Sequence, residues 1–264
     1  MYWGEAVKER LQALRPVKTS PELIQRIVPL VDLTSLNAAD TEESIALFCE
    51  KARTGLGSVA AVCVYPRFVR QVAAQLSGTT VRTATVVNFP EGETSLESVL
   101  VEIGRALEDG ANEIDVVFPY QRYLAGERQY ARQFVTACKA ACGQHVALKV
   151  ILETGALRDA AIIADASLDA LTGGADFIKT STGKIPEGAT LEAAAVMLLV
   201  IRHAAPQLKR LLGVKIAGGV RDIVQAGQYL ELADQIMGHD WTRPETFRIG
   251  ASKLMDEMLA SLAL

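Results

Sequence analysis

The sequence is poor in the residues that bind metal ions or form disulfides. Its 264 residues include three histidines and four cysteines, Cys49, Cys63, Cys138 and Cys142, and none has a spacing typical of metal ligands. Cys138 and Cys142 are four residues apart on a predicted helix, which indicates packing more often than a shared metal ion. We therefore expect no metal ion and no structural disulfide.

The chain also lacks a positive net charge and a long hydrophobic run. Its net charge of −4 and its pI near 5.5 argue against a surface for nucleic acid or anionic membranes. The longest aliphatic run, Ala193–Ile201, is far below the ~20 residues that span a bilayer. The segment Met1–Arg15 is amphipathic and has no cleavage pattern of a signal peptide. These features predict a cytoplasmic protein that binds neither nucleic acid nor membranes.

What the sequence does contain is a regular alternation of apolar runs and amphipathic helices. Half of the residues are hydrophobic, so the chain can bury a substantial core. Residues 1–27 form a predicted N-terminal helical extension, interrupted by Pro16 and Pro21. No linker follows, so we expect a single domain over residues 1–264. The predicted strands are Val28–Leu33, Ser58–Tyr65, Arg82–Phe89, Glu113–Pro119, Ala147–Glu153, Phe177–Ser181, Leu212–Ala217 and Phe247–Gly250.

Eight strands that alternate with helices in about 250 residues predict an α/β fold, the (β/α)₈ TIM barrel. Helix starts are indicated by capping residues at Thr41, Ser95 and Thr190. The alternative is a doubly wound open sheet, which usually carries a glycine fingerprint after its first strand. The single match, Gly55–Ala60, precedes a strand instead of opening a helix, so we attribute it to chance.

Four of the predicted strands carry one ionisable residue each at a position that should face the barrel interior. In the strand that begins at Glu113, the residues at alternate positions are apolar, which turns Asp115 inward. The same alternation turns Lys149, Lys179 and Lys215 inward on the next three strands. The strand pattern therefore predicts a cluster of three lysines and one aspartate inside the barrel.

Such a cluster favours a chemical role for one of its lysines. Burial and a neighbouring ammonium both lower a lysine pKa, and a neutral lysine attacks carbonyl groups to form a Schiff base. The alternatives are a lysine that extends to solvent from an edge strand and a structural ion network, which is a weak stabilising device. The alternation does not choose among Lys149, Lys179 and Lys215.

The loops that follow three of these strands have features of a phosphate site. Thr182, Gly183 and Lys184 follow the sixth strand, Gly218–Arg221 follows the seventh, and Gly250–Ser252 opens the last helix. Glycines before a helix start expose backbone N–H groups, and the helix dipole favours an anion there. In this architecture a phosphate site after the seventh and eighth strands is common.

These motifs resemble those of the class I deoxyribose-phosphate aldolases, over nearly the whole chain from Val31 onward. The shared segments are Val31–Thr34, Cys63–Arg67, Asn88–Pro90, Glu113–Val117, Leu148–Glu153, Phe177–Gly183, Gly213–Lys215 and Gly218–Gly219. The resemblance implies reversible cleavage of 2-deoxy-D-ribose 5-phosphate to acetaldehyde and D-glyceraldehyde 3-phosphate, as in deoxyribonucleotide catabolism. It also implies that no cofactor is required.

The resemblance assigns roles that the strand pattern leaves open. It makes Lys179 the Schiff-base lysine and Lys215 the nearby cation that keeps Lys179 partly neutral. It makes Asp115 the acid or base that moves protons, with Lys149 and Asp32 as hydrogen-bonded supports. Thr34 and Thr182 are expected to contact the sugar. The phosphate is expected to be held by Gly183, Lys184, Gly218, Gly219, Gly250 and Ser252.

Three further residues or segments carry separate expectations. Cys63 shares its strand face with Tyr65, so it should point inward near the aldehyde and react with unsaturated aldehydes, unless it is only a small buried apolar residue. Lys253 stands where the family often has a second serine, and we expect it in the first turn of the last helix, beside the phosphate or extended into water. The sequence stops at Leu264 without the tyrosine-ended tail of some members, which would remove one contributor to proton transfer.

Two other functions remain compatible with the sequence. One is a different Schiff-base aldolase that acts on a longer phosphosugar, and the other is a catalytically silent protein that binds phosphosugars. The expected partners are a small phosphosugar and aldehydes, together with further copies of the chain in a homodimer or larger homo-oligomer. The retained Asp115, Lys179 and Lys215 favour the aldolase, because a binding protein would need the phosphate loops but not all three.

Overall fold

The structure is a computed structural model that describes residues 3–262. It is built around a closed barrel of eight strands in which all neighbours run parallel, in the order β1-β10-β9-β8-β7-β6-β5-β4, and β2 and β3 form a separate antiparallel hairpin. In chain order the strands are β1 (Val31–Ser35), β2 (Arg53–Thr54), β3 (Gly57–Ser58), β4 (Ala61–Val64), β5 (Arg82–Val87), β6 (Glu113–Val117), β7 (Ala147–Ile151), β8 (Phe177–Lys179), β9 (Gly213–Ala217) and β10 (Phe247–Ala251).

Helices connect successive barrel strands and cover the outside of the barrel. In chain order they are α1 (Trp3–Gln12), α2 (Pro21–Ile27), α3 (Glu42–Glu50), α4 (Val69–Gln75), α5 (Leu96–Glu108), α6 (Tyr120–Leu124), α7 (Arg128–Cys142), α8 (Thr154–Leu157), α9 (Ala160–Thr172), α10 (Leu191–Leu208), α11 (Ile223–Met237) and α12 (Leu254–Leu262). Short 3₁₀ helices lie at Val28–Leu30, Pro66–Phe68 and His239–Trp241. This is the (β/α)₈ barrel that the sequence predicts.

The predicted helix caps are confirmed by their hydrogen bonds. The side chains of Thr41, Ser95 and Thr190 accept from the backbone N–H groups three residues later at 3.2, 3.3 and 3.1 Å. Each cap satisfies a donor that has no partner within its own helix. The caps therefore fix where α3, α5 and α10 begin.

Several predicted strand bounds are wrong at their ends. Val28–Leu30 is a 3₁₀ helix and not the start of β1, because Pro29 has a fixed φ and no N–H to donate to a strand ladder. Ser58 belongs to the small hairpin, so β4 starts three residues later, at Ala61. The strands β5 to β8 end about two residues earlier than predicted, where the chain turns into the loops above the barrel.

The N-terminal extension is helical, as predicted. Ser20 caps α2 through a hydrogen bond from Leu23 N, and Pro21 occupies the first turn, where its missing N–H costs no helical hydrogen bond. Helix α1 packs against α9, α10 and α11 on the outside of the barrel. Met1, Tyr2, Ala263 and Leu264 lie outside the described residues, and so does the expectation attached to the chain end.

The barrel interior has an apolar side and a charged side. An interior cluster of Leu36, Ala61, Cys63, Ala84 and Val86 lies along β1, β4 and β5, separate from the large core between strands and helices. Charged residues fill the interior beside β6 to β10 and β1. The apolar side thus gives the neighbouring charged groups surroundings of low polarity, in which charges interact strongly.

Helix α10 is, among residues 3–262, the one helix long and apolar enough to cross a membrane. Half of this span is buried, in contact with α9, α11 and β9. The apolar character of α10 is therefore explained by its packing in the barrel.

Candidate active site

Three lysines converge on one aspartate inside the barrel. The carboxylate of Asp115 on β6 accepts from Lys149 Nζ through Oδ1 at 2.8 Å, and its Oδ2 accepts from both Lys179 Nζ and Lys215 Nζ at 2.8 Å. All four side chains are buried. The strand alternation had predicted that these residues face inward, and their mutual contacts confirm that placement.

The position of each side chain follows from the register of the strands. Asp115 is paired with Lys149 across β6 and β7, and Lys179 is paired with Lys215 across β8 and β9. Because barrel strands are staggered, Lys179 lies opposite Ile151 and Lys149 lies opposite Phe177. Lys179 therefore stands nearer the carboxyl end of the barrel than Lys149 does.

Two further carboxylates and an arginine complete the charged interior. Lys149 Nζ lies 2.7 Å from Glu113 Oε2, and Lys215 Nζ lies 2.7 Å from Asp32 Oδ2. Arg248 contacts both carboxylates, Asp32 Oδ1 at 2.6 Å and Glu113 Oε1 at 2.9 Å. The described interior thus holds four cations and three carboxylates.

Lys179 is the one lysine of the cluster whose pKa is lowered. Burial lowers it and the Lys215 ammonium lowers it further, and the attraction of Asp115 does not compensate for the two. Within residues 3–262, Lys179 has a single carboxylate neighbour, Asp115, and it shares the Oδ2 atom of that carboxylate with Lys215. Lys179 is therefore the lysine in this interior that most readily becomes neutral and nucleophilic.

The other two lysines have carboxylate neighbours that outweigh burial. Burial acts to lower the pKa of Lys215, but Asp115 and Asp32 together raise it above its usual value. The pKa of Lys149 is also raised, because Asp115, Glu113 and Asp32 outweigh burial. Lys149 and Lys215 therefore remain protonated.

The aspartates of the cluster are held in the ionised form. Burial acts to raise the pKa of Asp115, but the ammonium groups of Lys149, Lys179 and Lys215 hold it well below its usual range. Burial is likewise outweighed at Asp32, whose pKa is lowered by Lys215 and Arg248. Asp32 reaches Asp115 through Lys215, so its support of Asp115 is indirect. In this state Asp115 accepts hydrogen bonds and holds no proton of its own.

A cavity opens above Lys179 at the carboxyl end of the barrel. It has a volume of about 240 Å³, and Lys179 lies in its lining with 2% of the residue exposed. Most of the predicted substrate-binding residues line this cavity, namely Thr34, Thr182, Gly183, Lys184, Gly218, Gly219, Gly250 and Ser252. The structure thus brings the predicted nucleophile and the predicted phosphate loops to one cavity.

The glycine loops at this cavity need their glycines. Gly183, Gly218 and Gly219 have φ values of +74°, +91° and +93°, in the region that side chains disfavour. A Cβ on Gly183 would lie 3.8 Å from Gly218 Cα, so the two loops approach closely. Both loops line the cavity, and glycine loops of this kind can present backbone N–H groups to an anion.

Thr182 and Lys184 are positioned by hydrogen bonds that the sequence did not reveal. Thr182 Oγ1 donates to Glu153 Oε2 at 2.5 Å and accepts from Lys184 N at 3.0 Å. Glu153 itself is buried with a φ of +57°, and burial raises its pKa. The Thr182 hydroxyl proton is thus already committed to Glu153, and Glu153 holds the loop after β8 in place.

Cys63 and Lys253, two residues expected at the site, lie outside the lining of the cavity above Lys179. Cys63 is fully buried on β4 outside the lining of the cavity, and burial raises its pKa, so its thiol is not activated. Its reaction with unsaturated aldehydes stays a prediction. Lys253 precedes α12 instead of lying in its first turn, because α12 begins at Leu254. Of the residues described, Ser252 lines the cavity and Lys253 does not.

A larger cavity lies at the opposite, amino-terminal end of the barrel. Its volume is about 540 Å³, and its lining includes Glu113, Phe177 and Arg248 at the starts of their strands. We assign the chemistry to the smaller cavity, because Lys179 and the glycine loops meet there. In this fold active sites lie at the carboxyl end of the strands.

The residues that sequence analysis missed left a weak signal. Glu113 precedes Asp115 by two residues and Arg248 precedes Gly250 by two, so alternation places both pairs on the inner face. Asn37 and Arg221 also line the cavity above Lys179, called the upper cavity below, and each lies shortly after a strand end. Alternation could have found Glu113 and Arg248, but their contacts depend on the stagger of the closed barrel.

Comparison with known proteins places this barrel among the aldolases. Residues 26–238 match the DeoC/LacD family of aldolases, most of the chain. The chain belongs to the DeoC/LacD aldolase family.

Solved structures from several organisms have the same barrel. A candidate deoxyribose-phosphate aldolase from Toxoplasma gondii ME49 is 27% identical with a TM-score of 0.82, over 91% of this chain and 94% of that one. One from Coccidioides immitis is 28% identical with a TM-score of 0.78, over 97% and 96%. The deoxyribose phosphate aldolase of Aeropyrum pernix, described as a unique tetramer, is 26% identical with a TM-score of 0.69, over 98% and 97%.

Proposed function

We propose that the protein cleaves 2-deoxy-D-ribose 5-phosphate reversibly to acetaldehyde and D-glyceraldehyde 3-phosphate through a Schiff base on Lys179. The observation that carries this proposal is a buried lysine with a lowered pKa at the base of a cavity whose wall suits a phosphate. The similarity to named deoxyribose-phosphate aldolases supports the choice of substrate.

The proposed reaction has two stages, cleavage of the sugar and release of acetaldehyde, and both take place on Lys179 Nζ. Neutral Lys179 Nζ adds to the C1 aldehyde of the open-chain sugar, and loss of water gives a protonated Schiff base. Removal of the C3 hydroxyl proton breaks the C2–C3 bond, releases glyceraldehyde 3-phosphate and leaves an enamine on Lys179. A proton then adds at C2, and water hydrolyses the Schiff base to free acetaldehyde and lysine. The positive nitrogen accepts the electron pair of the broken bond, which is the purpose of the covalent step.

The neighbours of Lys179 serve this sequence through charge and proton transfer. Lys215, kept protonated by Asp115 and Asp32, disfavours the ammonium form of Lys179 before attack. Asp115 accepts the C3 hydroxyl proton as the C2–C3 bond breaks and delivers a proton to C2 of the enamine, which returns Asp115 to the ionised form that Lys149 and Lys215 favour. The phosphate group binds at the glycine loops and Lys184, which aligns C1 with Nζ.

A substrate panel tests the proposal. We expect wild type to release aldehyde from deoxyribose 5-phosphate with a far higher kcat/KM than from deoxyribose or from fructose 1,6-bisphosphate, and Lys179→Met to release none. A preference for fructose 1,6-bisphosphate would replace the proposal with an aldolase of longer phosphosugars. Tight binding of deoxyribose 5-phosphate without any turnover would replace it with a silent binding protein.

A further inference from the structure

The charged side chains inside the barrel form a closed ring of alternating sign. Its members, in order around the ring, are Asp115, Lys149, Glu113, Arg248, Asp32 and Lys215. The six successive contacts from Asp115 back to Asp115 measure 2.8, 2.7, 2.9, 2.6, 2.7 and 2.8 Å. Each member contacts an oppositely charged neighbour on either side, and each is buried; Lys149 Nζ also lies 3.7 Å from Asp32 Oδ2 across the ring.

We propose that Glu113 and Arg248 are positioning residues which close this ring as a neutral unit and so leave Lys179 as the seventh, unmatched charge. Three cations and three anions balance within the ring, and Lys179 attaches to it only at Asp115 Oδ2. The consequence for catalysis rests on the proposed function, because it matters only if Lys179 is the nucleophile.

Glu113 and Arg248 act on Lys179 without reaching a substrate held there. They line the cavity at the amino-terminal end of the barrel, whereas Lys179 lines the cavity at the carboxyl end. Arg248 also lies over the Phe177 ring, with Cζ 5.6 Å from the ring centroid. The ring of charges therefore lies between the two cavities, which are at opposite ends of the barrel.

Arg248 makes the charge of the ring permanent. Its guanidinium stays protonated throughout the accessible pH range. The two prongs of its planar group reach Asp32 and Glu113, which fixes the distance between those carboxylates. Asp32 is thereby directed towards Lys215, and Glu113 towards Lys149.

The sign of each perturbation follows from the charge count. If Arg248 loses its charge, the ring has one excess negative charge, which stabilises the ammonium form of Lys179. If Glu113 loses its charge, the ring has one excess positive charge, which favours the neutral form. At low dielectric, a charge gained or lost a few ångströms beyond the groups that contact Lys179 moves the midpoint of the Lys179 titration by about one pH unit.

The remaining titratable groups around Lys179 are unchanged in both cases. They are Asp115 on β6, Lys215 on β9, Cys63 on β4 and Glu153 after β7. Lys149 on β7 reaches Lys179 through Asp115. Any opposite response of Lys179 to the two substitutions therefore comes from the far side of the ring.

The test compares Glu113→Gln, Arg248→Met, the double variant and Arg248→Lys with wild type. The readout is the rate at which formaldehyde and cyanoborohydride methylate Lys179, followed by peptide mass spectrometry as a function of pH. This rate reports the neutral amine and does not require turnover. Thermal melting identifies any variant that does not fold, and the pH profile of kcat is recorded in parallel.

We expect the midpoint of the Lys179 profile to move down by about one pH unit in Glu113→Gln and up by about one unit in Arg248→Met. The double variant should return close to the wild-type midpoint, and Arg248→Lys should retain it. If Arg248→Met does not fold, Glu113→Gln and the double variant still test the proposal, because their Lys179 midpoints must differ by about one pH unit.

Equal midpoints in all folded variants, or shifts of the same sign, would overturn the proposal and leave Glu113 and Arg248 as a structural pair. Failure of the proposed function gives a different pattern. In that case the methylation midpoints still move in opposite directions, while neither wild type nor any variant cleaves deoxyribose 5-phosphate.

Discussion

Lys179 differs from its two lysine neighbours in the number of carboxylates that it contacts. Lys149 and Lys215 each lie within hydrogen-bonding distance of two carboxylates, whereas Lys179 has Asp115 alone. Because desolvation penalises all three ammonium groups, the one with least compensation gives up its proton first. Under the proposed function, the same residue type thus serves as nucleophile or as fixed cation according to its contacts.

Two lysines near the phosphate loops should differ in their effect on substrate choice. Lys184 lines the upper cavity and its Nζ donates to Leu36 O at 2.5 Å, whereas Lys253 is exposed outside the lining. We expect Lys184→Met to lower kcat/KM for deoxyribose 5-phosphate roughly tenfold or more relative to deoxyribose, because a hydrogen bond to a charged group contributes about 1.5–3 kcal/mol.

The matched control is Lys253→Met, which should change the ratio of the two substrates less than about twofold, as for a solvated surface charge. The loss in Lys184→Met should shrink with added salt to the extent that the pair is exposed. A larger effect at position 253 than at position 184 would contradict this placement of the phosphate.

Single residues of the site were predictable to the extent that strand alternation determines them. Alternation identified Asp115, Lys149, Lys179 and Lys215 as inward-facing, because a strand has only two faces. It could not show that Glu113 and Arg248 pair across the barrel, since those residues are 135 positions apart and meet only through closure. The choice of Lys179 among three lysines came from a family resemblance, and the charge count now gives a physical reason for it.

At the scale of elements, the ends of the strands carry the chemistry. The strands β6 to β9 contribute charged groups at heights that the register fixes, and the loops after β8, β9 and β10 contribute to the cavity wall. Strand centres were predictable from apolar runs, but strand ends were not. Pro29 and the hairpin of β2 and β3 altered the ends through local geometry that hydrophobicity does not report.

Gly250 on β10 leaves room for the Lys215 side chain. A Cβ at position 250 would lie 2.9 Å from Ala217 Cβ and 3.1 Å from Lys215 Cε. We expect Gly250→Ala to lower stability by about 1–3 kcal/mol through overpacking. It should also lower kcat, since Lys215 would move relative to Asp115. Urea unfolding and kcat at saturating substrate measure the two effects.

Gly104→Ala provides the control for this substitution. Gly104 lies within α5, and a Cβ there would meet nothing within 4 Å. We expect this variant to gain about 0.5–1 kcal/mol of stability with unchanged kcat, because alanine favours a helix interior over glycine. Unchanged kcat in Gly250→Ala would show that Lys215 does not depend on the space at position 250.

At the scale of the whole molecule, the charged interior ties stability to pH. The pKa values of Asp32 and Asp115 are lower in the folded chain than the ordinary value of 3.8. Below about pH 4 the unfolded chain therefore binds more protons than the folded one, so the stability that these groups contribute is lost as the pH falls. We expect the urea midpoint to be level near neutral pH and to fall steadily below about pH 4.

Asp32→Asn tests the origin of this acid sensitivity. Removing one partner of a buried ion network costs about 3–5 kcal/mol, so the variant should have a lower midpoint near neutral pH and a flatter decline in acid. Asp240→Asn, at a fully exposed aspartate, is the control and should follow wild type. An acid decline in Asp32→Asn as steep as in wild type would assign the sensitivity to other carboxylates.

The arrangement of the whole barrel explains why a cationic cluster can exist without opening the fold. The large apolar core lies outside the sheet, between strands and helices, and holds the barrel closed without the interior. The interior can therefore carry a cluster of charges in place of an apolar core. This division between an outer core and a charged interior was predictable from the sequence in part, because four of the eight predicted strands carry an ionisable residue on the face opposite their apolar one.

The central claim is that Lys179 is the residue that forms the Schiff base. Its most direct test is reduction with borohydride in the presence of acetaldehyde, followed by peptide mapping of wild type and Lys179→Met. We predict an ethyl adduct on the peptide that contains Lys179 in wild type and none in the variant. An adduct on Lys149 or Lys215, or no adduct in wild type, would contradict the account.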